Sequence, residues 1–268
     1  MRSSKNFHAI TGKMVLMLVL SCLLGVSSAS AQKKWYFGIG TGLMRLNAEG
    51  DQGLNLGQLG PAQVEFDLDP DDFNDLMESA IGFGGYVTNG TLMFQYSFAQ
   101  LKLGGDPSGV TPDGATVSAE YSYDITTGGL TAGYTVYQGG RLGIQPYVGF
   151  RYLKHELGAD LTVVGQTTTT VSRAIDHNWT DVLVGTSLNV ALSPKVAWSV
   201  SADAGFGGSN GTYSIATSVS WRFWQYMSLI PNASFMAIDY ENGEIGDSDW
   251  YLYDANEFGW GLSFLIHL

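Results

Sequence analysis

The chain is short of cysteine, proline and charge. One Cys in 268 residues, Cys22, excludes an internal disulfide scaffold. Only 7 Pro, with 45% hydrophobic and 13% aromatic residues, exclude a long disordered or proline-rich chain. Charged residues make up 14% of the sequence, against roughly 25% in an average soluble domain. Basic residues are scarcest: 13 Lys+Arg stand against 25 Asp+Glu, a net charge of −12. Nucleic acid is excluded as a partner, because no basic stripe exists to replace its counterions. What the chain has in quantity is glycine, 35 residues, with 14 Tyr, 13 Phe and 7 Trp. That combination suits many short strands.

The first 31 residues read as an address label. Arg2, Lys5 and Lys13 give a positive start, Met14 to Val26 is apolar, and Ala29-Ser30-Ala31 is a small-x-small cleavage site. The apolar stretch falls short of the roughly 20 residues that a spanning helix needs. Cys22 follows Leu20 and Ser21, and the apolar run continues through Leu23 and Leu24, which does not suit lipidation. Residues 1–31 are therefore expected to be a cleaved secretory signal peptide, with a barrel domain over 32–268. The mature chain keeps 10 Lys+Arg against 25 Asp+Glu, net −15.

After residue 32 no apolar run has the length of a spanning helix, and the periodicity is two. Phe258, Trp260, Leu262, Phe264, Ile266 and Leu268 alternate with Glu257, Gly259, Gly261, Ser263 and His267, with Leu265 as the exception. Val196, Trp198 and Val200 alternate with Ala197, Ser199 and Ser201; Val182, Val184 and Leu188 do the same with Asp181, Gly185 and Asn189. The polar face is small and rich in Gly and Ser rather than in Lys and Glu. A soluble sheet puts charge on its wet face, whereas an apolar outside around a small polar inside is a barrel in lipid. Lipid forbids an open edge, so the sheet must close.

Ten strands are expected, near 33–45, 78–88, 91–103, 115–137, 141–157, 169–192, 195–206, 211–223, 227–240 and 254–268. The apolar phase flips at Thr126-Thr127-Gly128-Gly129, a bulge or a further turn, so eight or twelve strands also fit. Tight turns at 88–90, 138–141, 193–195 and 224–226 alternate with longer connections at 46–77, 104–114, 158–168 and 241–253, Gly207 to Asn210 being a short exception. The fold class is an all-β, antiparallel up-and-down transmembrane barrel with short periplasmic turns and longer acidic extracellular loops. Trp35, Tyr36, Tyr134, Tyr137, Tyr147, Tyr152, Trp179, Trp221, Trp224, Tyr226, Trp250 and Tyr251 fall near strand ends, where interfacial girdles would lie.

On these features the chain resembles the OmpA-like class of small Gram-negative outer-membrane barrels. The carriers are the signal with Ala29-Ser30-Ala31 and the alternating C-terminal strand Phe258 to Leu268, although such strands usually end in Phe. Phe66 to Leu76 (FDLDPDDFNDL), Pro146 to Tyr152 (PYVGFRY), Asn178 to Gly185 (NWTDVLVG) and Ala202 to Gly207 (ADAGFG) resemble a group of uncharacterised proteobacterial outer-membrane barrel proteins. The resemblance implies the fold, the outer membrane as location, and recognition of the last strand by the barrel-assembly machinery. It implies no activity for any residue.

The candidate chemistry is sparse. No Lys or Arg lies between Leu46 and Leu101, while acids crowd the first long connection. Asp67, Asp69, Asp71, Asp75 and Glu78 match positions 1, 3, 5, 9 and 12 of a calcium loop. Asp72 replaces the glycine of position 6, and Pro70 stands at position 4. The competing reading is a short helix with Asp69 as N-cap, Pro70 at its first position and acids in its first turn. It could lie across the barrel mouth or plug it. Loose attraction of divalent cations fits either reading; no other cofactor is expected. Asp176-His177 and His155-Glu156 are adjacent strand residues that face opposite ways, so neither forms a catalytic dyad. By strand phase Arg151, Arg222, Asp181, Asp203 and Glu120 or Asp124 point inward, where charges must pair or stay hydrated. The leading expectation is a structural or surface-interaction barrel with a closed, charge-paired lumen and no enzymatic activity. It would be surrounded by outer-membrane lipid and lipopolysaccharide, with an extracellular partner unspecified. A narrow solute channel or carrier, and a membrane-embedded lipid-modifying enzyme, are the alternatives.

Overall fold

The computed structural model describes residues 34–55, 57, 60–105, 108–110, 116–164 and 168–268. The expected leader, residues 1–31 with Cys22, lies outside the described residues. Strands form where apolar residues recur at period two between turns. They are β1 (Tyr36–Asn55), β2 (Pro61–Leu68), β3 (Met77–Thr88), β4 (Leu92–Gly105), β5 (Ser108–Val110), β6 (Thr116–Tyr134) and β7 (Tyr137–Gly139). There follow β8 (Leu142–Val164), β9 (Thr168–Ser193), β10 (Val196–Phe206), β11 (Gly211–Trp224), β12 (Met227–Asn242) and β13 (Tyr251–His267). One helix, α1 (Pro70–Leu76), joins β2 to β3.

Ten of the strands close an antiparallel ring in the order β1, β3, β4, β6, β8, β9, β10, β11, β12, β13 and back to β1. β2, β5 and β7 are accessory, paired to β1, β6 and β8. The ring answers the expectation of about ten strands and removes eight and twelve. Gly90 (φ 83°) and Gly140 (φ 58°) take the left-handed conformation that the tight turns demand.

The phase flip in β6 is neither a bulge nor a turn. Its ladders to β4 and β8 run without a register shift. Leu130 and Tyr134 are exposed on the outside, whereas Tyr123 of the same strand reaches His155 and Tyr251 inside. The strand passes from lipid, where apolar residues face out, to water, where they face in. β8 does the same between Val148 and Phe150 outside and Leu153 inside; β13 does so between Phe258 and Trp260 outside and Tyr251 and Tyr253 inside. Outside, the apolar belt gives way to Lys154, Glu156 and Asp176, which mark the level where lipid ends.

Strands continue through several expected loops. β8 and β9 stay paired to Val164↔Thr168, so most of 158–168 is ladder. β1 runs on to Asn55 because β13 remains beside it as far as Leu54↔Tyr251. It then returns as β2, so the 46–77 connection is a hairpin arm followed by α1. The helix starts where Asp69 Oδ1 accepts the N–H of Asp71 (2.7 Å) and Asp72 (3.0 Å), while Asp72 Oδ2 accepts the N–H of Asp69 (3.0 Å). Pro70 needs no donor in the first turn. Phe73 is the buried residue of α1 and packs with Ala48 and Leu103.

The girdle expectation needs correcting. Trp35, Tyr36, Tyr134, Tyr137, Trp221, Trp224 and Tyr226 are exposed on the short-turn side. Trp179, Trp250 and Tyr251 are instead buried, and Tyr147 is bonded inside to Asp203. Aromatic type alone does not tell a membrane interface from a core.

Candidate functional site

The lumen has three layers. On the short-turn side lies a cavity of about 850 Å³ lined chiefly by hydroxyl and amide side chains, among them Gln95, Thr131, Asn189, Ser199 and Asn232. Arg222 lines it at the short-turn end and has no carboxylate within ion-pair distance among the described residues. Nearby, His267 Nδ1 lies 2.8 Å from Tyr86 Oη and its Nε2 2.7 Å from Ser228 Oγ. These contacts tie the closing strand β13 to β3 and β12.

The middle layer is charged. Arg151 Nη2 donates to Asp203 Oδ1 (2.8 Å) and Ser214 Oγ (3.1 Å), and Nη1 donates to Thr212 Oγ1 (3.3 Å). Tyr147 donates to the other Asp203 oxygen at 2.8 Å. Asp181 stands opposite Arg151 in the ladder but serves a different partner. Fully buried, it accepts the N–H of Gly208 (3.0 Å) and Ser209 (2.8 Å), the Ser209 hydroxyl (2.7 Å) and the Thr212 hydroxyl (3.3 Å). A carboxylate so supplied is compensated without a cation. It also holds the short Gly207–Asn210 connection against the wall. Glu120 and Asp124 share the strand face opposite Tyr123, so they do not point into the lumen. Asp124 pairs with Lys102 at 2.8 Å and Glu120 is exposed.

The outer layer is an aromatic cap. Trp179 and Tyr240 stack at 3.9 Å, and His177 stacks on Tyr251 at 4.7 Å. His155 is fully buried, edge-on to Trp179 (4.9 Å) and Tyr253 (4.6 Å). Its Nδ1 lies 2.8 Å from the Tyr123 hydroxyl and 2.9 Å from that of Tyr251, to which Gln52 donates at 3.1 Å. Burial, helped by the neighbouring His177, pushes the His155 imidazole down to about 3. Burial also lowers His177 and raises Tyr251 to about 12. Leu153, Ile175, Ile238 and Ala255 complete the packing. Sequence reasoning missed this cap; its signal was the change of apolar phase along several strands.

Other sequence candidates are dispersed. Asp176 pairs outside with Lys154 at 3.3 Å while His177 stacks inside, so the two share no site. Of the five calcium-loop acids, Asp67 is on β2, Asp69 caps α1, Asp71 pairs with Arg45, Asp75 is exposed, and Glu78 lies beside Gly104. Hydrogen bonds from Asp72 and Asp71 N–H hold the Asp69 carboxyl below its usual range. Among the described residues, no group of three or more His, Cys, Asp or Glu side chains could hold a metal ion.

No protein-family model and no curated protein sequence matches the chain. Solved structures do. The outer-membrane protease OmpT of Escherichia coli aligns with a TM-score of 0.54 at 7% identity, over 90% of this chain and 99% of that one. The translocator domain of the autotransporter NalP of Neisseria meningitidis gives 0.47 at 10%, over 96% and 97%. The OmpT likeness is one of fold. A closed antiparallel ring of ten strands with an apolar belt outside and polar groups inside is the architecture of bacterial outer-membrane barrels, and this chain is one of them.

Proposed function

We propose that this outer-membrane barrel is a closed, non-conducting wall protein whose role is structural or interactive at the cell surface. The carrying observation is the cap: Trp179 on Tyr240 at 3.9 Å, with His155 fully buried edge-on to Trp179. Hydrated ions need a continuous wet path, and a packed aromatic layer offers none. The Arg151–Asp203 pair under the cap supports the same reading, since a buried pair with additional hydrogen bonds is a fixed wall element. The belt would contact outer-membrane lipid and lipopolysaccharide, and the end of β13 would serve assembly. The projecting strands β6, β8 and β9 would meet the extracellular partner. Their acidic outer side would draw divalent cations loosely.

A second reading rests on the 850 Å³ cavity and Arg222. A pocket open toward the periplasm could hold a small solute without passing it onward. Enzymatic activity is not proposed. Although the similar OmpT is named a protease, Asp176 and His177 lie on opposite faces here, and Ser228, the serine bonded to His267, is fully buried.

Single-channel recording in planar bilayers tests the reading. The folded protein, verified by a heat-dependent gel shift, is expected to be silent. The Trp179→Ala, Tyr240→Ala double variant is expected to give steps of conductance. Steady openings from the unaltered chain would overturn the closed barrel in favour of the channel.

A further inference from the structure

The wall has a seam. The β1–β3 ladder ends at Thr41↔Phe83. The same register carried upward would set Gly42 beside Gly82 and Arg45 beside Ser79, where β3 bulges, yet no ladder pair joins these described residues. Above the seam β1 takes β2 as its neighbour from Ala48 on, and α1 seals the corner with Phe73. On its other side β1 stays paired with β13, Leu43↔Leu262 and Asn47↔Phe258. Those β13 residues belong to the apolar belt, so the seam opens at the depth of the outer leaflet.

Side chains mark the opening. Leu43 is 85% exposed and Ile81 61%, and the continued register would place them opposite each other. Met44 faces inward, its sulfur lying where a Cβ on Gly259 would stand, and is still 57% exposed. Ala80, also inward by phase, is exposed. Backbone N–H and C=O groups at membrane depth must find partners. Thr41 Oγ1 donates to the Gly82 carbonyl at 2.6 Å and satisfies the first of them. Plain hydrocarbon cannot satisfy the rest, and a strongly polar molecule would not reside in the belt. A lipid acyl chain with its ester or amide linkage meets both demands.

We infer that the β1–β3 seam is a lateral slot that binds an ester- or amide-linked acyl chain of an outer-leaflet lipid. The tail lies against Leu43, Met44, Ala80 and Ile81, and the linkage meets the free strand edges beneath α1. The inference rests on the barrel's place in the membrane and not on whether the lumen conducts.

The test uses the full chain with Cys22→Ser and one bimane-labelled cysteine, in phosphatidylcholine vesicles with or without brominated acyl chains. A probe at Met44→Cys, or at Ala80→Cys should the first not fold, is expected to be quenched about twofold, like one at the lipid-facing Leu43→Cys. A probe at Ser201→Cys, across the lumen on β10, is expected to keep its fluorescence. Gly82→Leu is expected to fill the slot and abolish quenching at Met44, since a Cβ there meets only ordinary contacts at 3.6 Å. Inward probes as bright as Ser201 would overturn the slot. So would disulfide-linked dimers through unlabelled Leu43→Cys together with a Met44→Cys probe that bromine does not quench, which would make the seam an interface between copies.

Discussion

His155 couples the outer face of the barrel to pH chiefly through burial, with His177 acting in the same direction. The groups facing it are Tyr123, Tyr251, Tyr253, Trp179 and His177, and Tyr253 donates to the Glu257 carboxylate at 2.9 Å. Its imidazole sits at about 3 in the fold against an ordinary 6.5. Between those values the unfolded chain binds the proton and the folded chain does not. The stabilisation is therefore complete above pH 6.5 and is lost as pH falls toward 3. Each proton contributes about 1.4 kcal/mol per pH unit in that window. His177 is lowered by the same cause and adds with the same sign. Urea unfolding followed by tryptophan fluorescence is expected to show stability falling from pH 7 to pH 4, with a shallower slope for His155→Gln. Equal slopes would remove His155 from the effect. The sequence made the inward direction of Arg151 and Asp203 readable from alternation. It did not reveal that Arg151 reaches two strands across to Asp203 and on to Ser214 while Asp181 turns to Gly208 and Ser209. Which residues meet across a lumen depends on side-chain reach and strand stagger, which a linear pattern does not contain.

At the scale of elements, strand identity and the tight turns were legible because both are local. Period two needs only neighbouring residues, and Gly90 and Gly140 announce their turns through backbone freedom. Strand length was not legible, because a reading that follows one apolar phase stops where the surrounding solvent changes. β6 looked broken at Thr126-Thr127 for that reason, although its ladder is continuous. A rule with two phases, apolar out in lipid and apolar in above it, recovers Tyr123, Trp179, Tyr251 and Tyr253 as core. The helix was half legible: its cap residues were read from Asp69-Pro70-Asp71-Asp72, but its seat beside the β1–β2 arm was not. Because Asp69 accepts two N–H groups, Asp69→Ala is expected to loosen the first turn of α1 and leave the barrel strands unchanged. Hydrogen exchange at the amides of Asp71, Asp72 and Phe73 checks this. Faster exchange there with the barrel strands unaffected is the expected result, and unaltered exchange would mean that packing of Phe73 alone holds the helix.

For the molecule as a whole, unequal strand lengths explain how the aromatic layer packs across the barrel. β9 has 26 residues and its neighbour β10 has 11. The tall side therefore has no sheet partner above β10, and it crosses the low rim to pack on β12 and β13. Trp179 stacks on Tyr240, and Arg173 Nη2 donates to the Ser248 carbonyl at 2.6 Å. Asp181 keeps the low rim low by binding the Gly207–Asn210 connection inward. An uneven rim thus buries a hydrophobic core without a separate plug domain. The arrangement also fixes which end faces outward, since the tall strands and the 243–250 connection share one end while the tight turns and the exposed aromatics Trp221, Trp224 and Tyr226 share the other. Long connections outside and short turns in the periplasm are the rule for these barrels. A membrane-impermeant maleimide applied to intact cells is therefore expected to label Ile245→Cys, which is 68% exposed, in a Cys22→Ser background. Arg141→Cys, in the tight turn before β8, is expected to react only after the outer membrane is permeabilised. Labelling in the reverse order would invert the barrel and move the cap to the periplasmic side, where it would close the lumen against the cell instead of against the medium.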